Sequence, residues 1–231
     1  DWDDLATSYR KSGYVFVRDF LRTDVAEGLA NALASLQDWS LHVIGRPADY
    51  TRLEMNKMTP EEIGTLAPAP PAVYTNAGDA MGAYDRYLIM KQMRGGDCPT
   101  ELAEYFEAIN SPDYIDVMRT ITGIDADIWI SADASRYRSQ HFLSAHTDTK
   151  AGELSPKLAA HVMGLTKGWQ SSYGGELVFC DNWGRVEARE QPTFNCLALF
   201  RVPKRHYVNA VSSAAPFPRT SLYGWLMLRS S

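Results

Sequence analysis

The chain has 231 residues, 45% of them hydrophobic and 22% charged, and its formal net charge is −5. This is the composition of an ordinary globular protein with room for one large domain or two small ones. The acidic balance provides no general basic surface for nucleic acids, and no apolar run approaches the roughly 20 residues of a membrane-spanning helix.

The first half of the chain alternates helical patterns with short extended ones. Val25, Leu29 and Leu33 recur at helical spacing after a capping residue. A second helix start is indicated by a capping threonine before Pro60. In chain order we predict a helix over 1–11, a strand over 14–17, a helix from 23 or 24 to 36, a helix that begins at 60 and ends before 67–71, and helices over 100–109 and 111–121.

From about residue 125 the pattern changes to short apolar runs separated by Gly, Pro, Asn and Ser, which is typical of a barrel or sandwich. The segment 158–165 fits a helix or a strand by periodicity, and we favour a strand because Gly164 and Gly168 follow closely. No linker divides the halves. We therefore predict one domain over 1–231, with helical support and a substrate loop in 1–124 and a metal-binding β-core in 125–231. The predicted strands of the core are 128–130, 142–143, 158–165, 177–179, 196–200 and 222–228.

His146-Thr147-Asp148 is the most informative motif of the chain. In an extended strand the side chains of residues i and i+2 point to the same side, so His146 and Asp148 can bind one ion together. Two imidazoles and one carboxylate can occupy one face of an octahedral metal, as in the facial triad of non-haem Fe(II) oxygenases. The third ligand must then come from a distant histidine, and we predict His206.

Further motifs follow this one in a definite order. The sequence YGGEL at 173–177 places two glycines before a strand, and His206 follows the apolar strand 196–200. Arg219-Thr220-Ser221 comes last, before another apolar strand. The order resembles that of the prolyl 4-hydroxylase-like branch of the Fe(II)/2-oxoglutarate dioxygenases, and the resemblance covers residues 128–228.

The resemblance implies a fold and a set of site residues. The fold is α+β with a mainly β core, a double-stranded β-helix of the jelly-roll, cupin-like kind with N-terminal helices packed on one sheet. His146, Asp148 and His206 would hold Fe(II). Arg219 would offer a bidentate guanidinium to the distal carboxylate of 2-oxoglutarate, and Ser221, on the same strand face, would add a hydroxyl. A surface ion pair is the alternative role for the arginine.

Tyr137 stands nine residues before His146 and resembles the tyrosine whose phenol commonly reaches the cosubstrate in this family. The sequence also departs from the family pattern nearby. Gln140 and His141 stand where the family usually has Gly and Asp, and Gly164 stands where many relatives carry a second tyrosine. Packing in the core or at its rim is therefore the alternative for Tyr137.

Candidate substrate residues rest on weaker signals. Arg138 flanks a site strand and could bind an anionic group, although a solvated strand edge is the simpler interpretation. Trp129 could belong to an aromatic wall and His161 could line the pocket, with packing and a hydrogen-bonded core histidine as the alternatives. The segment 49–96, rich in Tyr, Met, Gly and Pro, is predicted to supply a lid or substrate loop.

The activity implied by the resemblance is that of an Fe(II)- and 2-oxoglutarate-dependent oxygenase that releases succinate and CO2. Fe(II), 2-oxoglutarate and O2 are the implied cofactors, with ascorbate as an optional support. Halogenating relatives lack the carboxylate of Asp148, so its presence favours hydroxylation of an amino acid, an amino-acid-derived metabolite or a peptidyl (prolyl) residue. Two alternatives stay open: a Zn(II) hydrolase that uses the same three ligands, and a non-catalytic cupin-like binding module.

The compartment is inferred from composition, and the substrate partner is what the resemblance implies. Three widely spaced cysteines without a CxxC pair favour a reducing, cytoplasmic compartment. The expected partner is a small-molecule or peptidyl substrate, with no nucleic acid and no membrane. The oligomeric state is open, with a homodimer as one alternative.

Overall fold

The computed structural model describes residues 1–75, 80–149 and 156–229. Seven α-helices lie within these ranges: α1 (Trp2–Ser12), α2 (Thr23–Ser35), α3 (Arg52–Met55), α4 (Pro60–Leu66), α5 (Ile89–Gly95), α6 (Thr100–Ile109) and α7 (Pro112–Thr122). Twelve strands lie within them: β1 (Tyr14–Arg18), β2 (Ser40–Val43), β3 (Gly82–Tyr87), β4 (Ile128–Ile130), β5 (Asp133–Tyr137), β6 (Phe142–His146), β7 (Lys157–Gly164), β8 (Leu177–Cys180), β9 (Val186–Glu190), β10 (Cys196–Arg201), β11 (His206–Val208) and β12 (Arg219–Leu228).

The strands form one mainly antiparallel sheet that is nearly closed into a barrel. Its order is β1-β10-β7-β12-β5-β3-β6-β11-β8-β9, with β2 paired to β3 and β4 paired to β12. Consecutive strands of the chain are often not neighbours in this order, which is the crossing pattern of a jelly roll. The predicted fold class is confirmed.

The central strands separate two apolar clusters because side chains alternate between the faces of a strand. On β10, Leu197 and Leu199 pack in the cluster that contains the helices. Ala198 and Phe200 belong to the cluster inside the barrel. The strand is therefore almost continuously apolar, with five buried residues in a row, and one sheet both supports the helices and encloses a cavity.

The N-terminal helices end where the sequence signals predict. Ser111 caps α7, and Gly123, with a φ of 72°, closes it in the left-handed region. The apolar stripe of α2 differs in one position from the prediction, because Val25 is 41% exposed whereas Ala26 is buried beside Leu29. The smaller alanine lets α2 lie close to its neighbours.

Strand β3 is the largest difference from the sequence-based prediction, which assigned its segment to a lid or substrate loop. It pairs with β2, β5 and β6 near the middle of the sheet. Its start needs a glycine, since Gly82 has a φ of 151° and a Cβ there would collide with the Phe142 carbonyl oxygen. Three strands before residue 125 thus join the sheet, so the segment 1–124 is not only helical support.

No helix in the described part of the chain combines the length and apolar character needed to cross a membrane.

Candidate metal and cosubstrate site

His146, Asp148 and His206 come together at one end of the barrel. His146 is the last residue of β6 and His206 is the first of β11, and the two are direct partners in the antiparallel pair. His146 Nε2 lies 3.7 Å from Asp148 Oδ1, and His206 Nε2 lies 3.9 Å from Asp148 Oδ2. One ligand atom from each residue falls within 4.8 Å of the others, close enough to hold a single ion.

The two imidazoles are held in the tautomer that a metal requires. Nδ1 of His146 donates to the Ser144 carbonyl at 2.9 Å, and Nδ1 of His206 donates to the Lys204 carbonyl at 2.8 Å. A carbonyl oxygen can only accept, so each Nδ1 carries a proton, and in the neutral form of such a ring the lone pair is on Nε2. Both lone pairs belong to nitrogens that face Asp148.

The electrostatics of the three groups also suit a cation. Burial and the neighbouring His206 lower the pKa of His146 to about 4, so this ring is neutral at physiological pH. Burial alone would raise the pKa of Asp148, but His206, His146 and the Trp225 side chain together bring it below its usual value. The site thus combines a neutral imidazole and a carboxylate in the states that ligate metals.

Asp148 is held differently from the prediction. The strand assumed to carry both residues of the motif ends at His146, and Asp148 lies in a bend beyond it. The two side chains still converge, but alternation along a strand is not the cause. Instead, Lys157 of β7 donates a hydrogen bond to the Asp148 main-chain carbonyl, and Trp225 of β12 is one of the groups that lower the pKa of the Asp148 carboxyl.

Arg219 is the second notable feature of the cavity. It is the first residue of β12, only 6% exposed, and its guanidinium carbon lies 4.9 Å above the centre of the Tyr137 ring. Within the described part of the chain it forms no ion pair with a carboxylate. A buried guanidinium without an anionic partner is costly, so this arrangement suits an anionic ligand.

Ser221 and Tyr137 lie where they can assist Arg219. Ser221 Oγ is 2.8 Å from Ser135 Oγ, and both serines line the cavity. Tyr137 is directly opposite Arg219 in the β5–β12 pair and stacks on Tyr84 at 5.0 Å. Stacking on one side and a cation on the other leave the Tyr137 ring little freedom to move.

The triad and Arg219 open into one cavity of about 720 Å³. Its walls also include aromatic and basic side chains that the sequence reading did not single out. Tyr223 and Trp225 could have been found, since they continue the alternation of Arg219 and Ser221 on the same face of β12. Lys157 has no such signal, because only the pairing of β7 with β12 brings it near Asp148.

Arg138 and Trp129 do not line this cavity. Arg138 donates two hydrogen bonds to Asp85, at 2.8 and 2.9 Å, and Arg136 binds the same carboxylate. Asp85 is 1% exposed, so these contacts compensate a buried charge in the sheet. Trp129 is on β4 opposite Met227.

His161 lies on the other face of β7 from the cavity residues Ala160 and Val162. Its Nε2 is 2.7 Å from the hydroxyl of Tyr114 on α7. His161 is 1% exposed, and burial lowers the pKa of its imidazole to about 4. The structure therefore places His161 between the sheet and the helices as a neutral, hydrogen-bonded group.

His161 should make folding pH-dependent. Its pKa is about 4 in the folded state but near 6.5 when unfolded, so between these values the unfolded chain binds the extra proton. Stability should therefore fall as the pH is lowered from about 6.5 to 4. His161→Gln should reduce this slope by up to about 1.4 kcal/mol per pH unit. Urea unfolding at several pH values measures it, and an unchanged slope would contradict the assignment.

The geometry agrees with a comparison to known families. The model of the 2OG-Fe(II) oxygenase superfamily matches residues 132–227, which include all three triad residues and Arg219. Residues 132–227 are therefore similar to the 2OG-Fe(II) oxygenase superfamily, and this similarity implies Fe(II), 2-oxoglutarate and O2 as cofactors. The family match does not favour the zinc hydrolase or the non-catalytic module.

Solved structures share the fold across nearly the whole chain. A prolyl-4-hydroxylase from Pseudomonas putida is 16% identical with a TM-score of 0.65, and the match covers 100% of both chains. A prolyl hydroxylase from Trichoplax adhaerens, in complex with a hypoxia inducible factor oxygen degradation domain peptide fragment, is 16% identical with a TM-score of 0.63 over 97% of this chain and 88% of its own. The non-haem alpha ketoglutarate dependent epimerase SnoN from nogalamycin biosynthesis is 14% identical with a TM-score of 0.62, covering 98% and 80%. No curated protein sequence matches significantly.

Proposed function

We propose that this protein is an Fe(II)- and 2-oxoglutarate-dependent hydroxylase in which His146, Asp148 and His206 hold the metal. Arg219 and Ser221 bind the distal carboxylate of 2-oxoglutarate, and Tyr137 supports them. When bound, Fe(II) and 2-oxoglutarate would supply the chemistry that activates O2, one oxygen atom of which would convert a substrate C–H to C–OH while the other would enter succinate, with release of CO2.

One observation carries the proposal. The buried Arg219, without a carboxylate partner in the described part of the chain, opens into the same cavity as the triad. A zinc hydrolase would not need a cation there, whereas a dicarboxylate cosubstrate bound to the metal at one end needs a positive charge for its other end. The guanidinium N–H donors match the two acceptor oxygens of a carboxylate, which makes this contact bidentate and directional.

The chain's own residues would perform three tasks. The Nδ1–carbonyl hydrogen bonds of His146 and His206 keep both rings aimed at the metal before it binds. The stack of Tyr84 on Tyr137 fixes the wall beside Arg219. The apolar walls, which include Leu177, Val208 and Phe200, exclude water from the reacting centre.

The substrate is proposed to be an amino acid, an amino-acid-derived metabolite or a peptidyl (prolyl) residue. Support comes from the fold shared with prolyl hydroxylases, one of them in complex with a peptide. The cavity of about 720 Å³ is in the range of pockets for small ligands and can take the cosubstrate together with a substrate group. Trp225 and Tyr223 provide aromatic surface for the apolar part of that group.

We further propose that residues 1–231 form one oxygenase domain, because helices from the first half and strands from the second share one apolar cluster. A reducing, cytoplasmic location is proposed from the cysteines. Cys98, Cys180 and Cys196 are all free thiols, and burial raises the pKa of Cys180 and Cys196, which makes them unreactive.

The activity is tested by anaerobic loading with Fe(II) and 2-oxoglutarate, in the presence of ascorbate. A weak visible charge-transfer band should form, and admission of O2 should produce succinate even without substrate. Screening amino acids and Pro-containing peptides for faster succinate release then identifies the substrate class. A folded, metal-loaded protein that shows neither the band nor succinate would exclude the oxygenase.

A further inference from the structure

Asp148 is the triad member with the least support from the sheet. His146 and His206 are both strand residues and direct partners across the β6–β11 pair. Asp148 lies two residues beyond the end of β6, in a bend. A carboxylate at such a position would normally sample several orientations. Its place in the site therefore requires contacts from elsewhere.

Lys157 provides the first of these contacts. Its Nζ donates a hydrogen bond to the Asp148 main-chain carbonyl at 3.2 Å. The same ammonium lies 4.2 Å from the centre of the Trp225 ring, within the range of a cation–π interaction. Lys157 is the first residue of β7, so the sheet determines where its side chain begins.

Trp225 is the second neighbour of Asp148. It is held on β12 opposite Ala160 of β7, lines the same cavity as Asp148, and is one of the groups that lower the pKa of the Asp148 carboxyl. Tyr223 packs against it edge to face, with ring centroids 5.7 Å apart. An indole N–H can only donate, so an indole aimed at Asp148 would engage one carboxylate lone pair and leave the others available.

We propose that Lys157 and Trp225 are positioning residues for Asp148: the ammonium fixes its main chain, the indole N–H fixes its carboxylate, and the Lys157–Trp225 contact couples the two. The proposal rests on the metal site of the proposed function. It assigns a role to two cavity residues that do not themselves bind the metal. Partners of this kind typically change metal affinity 10- to 100-fold when removed.

The test is the affinity of the full chain for Co(II), followed by its visible spectrum, together with thermal unfolding with and without Co(II). Trp225→Phe keeps an aromatic ring but loses the N–H, and should raise the Co(II) Kd about 10- to 100-fold. Lys157→Met should raise it about 10-fold. Lys157→Arg, which can both donate to the carbonyl and stack on the indole, should stay within about 3-fold of wild type.

Trp39→Phe is the matched control, because Trp39 is a buried indole outside the cavity. It should lower the Tm of the metal-free protein without changing the Co(II) Kd. The same pattern in Trp225→Phe and Lys157→Met would overturn the proposal, as would failure of Lys157→Arg to restore affinity. If Trp225→Phe does not fold, the comparison of Lys157→Met with Lys157→Arg tests the proposal by itself.

The result of this Co(II) test can be distinguished from the result of the succinate test of the proposed function. A wild-type protein that binds Co(II) but makes no succinate would contradict the oxygenase and leave the positioning of Asp148 to be judged on affinities. A wild-type protein that binds no Co(II) would overturn both.

Discussion

His206→Ala is expected to remove metal binding and 2-oxoglutarate turnover together. His206 is 5% exposed and contributes one of only two imidazoles at the site. Its loss leaves two donors, which no longer define one face of an octahedral ion. Succinate formation with Fe(II) should fall at least about 1000-fold, equivalent to about 4 kcal/mol. Initial rates of succinate release measure the effect, and Co(II) titration shows whether the metal is lost.

His161→Gln is the control for this substitution, since it also alters a buried histidine but on the helix-facing side of β7. It should retain Co(II) binding and succinate formation at pH 7.5. A His206→Ala protein with wild-type turnover would mean that another residue completes the metal site.

Arg219→Ala should weaken 2-oxoglutarate binding by about 1.5–3 kcal/mol, or roughly 10- to 150-fold in Kd. The guanidinium is buried against Tyr137 and forms no ion pair with a carboxylate among the described residues. Its removal therefore deprives the distal carboxylate of its charge partner in a poorly solvated place. Arg219→Lys should recover part of the loss, because an ammonium keeps the charge but not the bidentate geometry.

Arg201→Ala is the matched control, since Arg201 ends β10 with an exposed side chain outside the cavity. Its 2-oxoglutarate affinity, measured by the charge-transfer band at fixed Fe(II), should equal that of the wild type. Equal affinities for Arg219→Ala and wild type would show that a different residue binds the distal carboxylate.

The sequence was informative where local patterns and tertiary structure agree. Helices with an apolar stripe, such as α6 and α7, and continuous apolar strands, such as β10, were located within one or two residues. Strand β3 was missed because it contains two charged residues, Asp85 and Arg86, whose partners lie elsewhere in the chain. Arg86 binds Asp49, and Asp85 accepts hydrogen bonds from Arg136 and Arg138. Such long-range compensation leaves no periodic signal.

The predicted site residues also divide into those that the sequence located correctly and those that it did not. His146, Asp148, His206, Arg219, Ser221 and Tyr137 have a spacing and order that resemble a known family, and the structure brings all six to one cavity. Arg138, His161 and Trp129 are not in it. A single strand residue faces one side or the other, and for His161 that choice depends on the register of β7 against β10 and β12. The position of Lys157 near Asp148 depends on the same register of β7.

The alternation of β12 has a consequence for how this protein can diverge. Its odd-numbered residues from Arg219 to Trp225 line the cavity, whereas Leu222 and Leu226 pack with the helices. Variation at the odd positions can alter what the cavity accepts while the helix-facing core stays constant, and variation at Leu222 and Leu226 can tune Tm without new ligand contacts. Mutational libraries that separate the odd positions from Leu222 and Leu226 should therefore distinguish changes in selectivity from changes in stability.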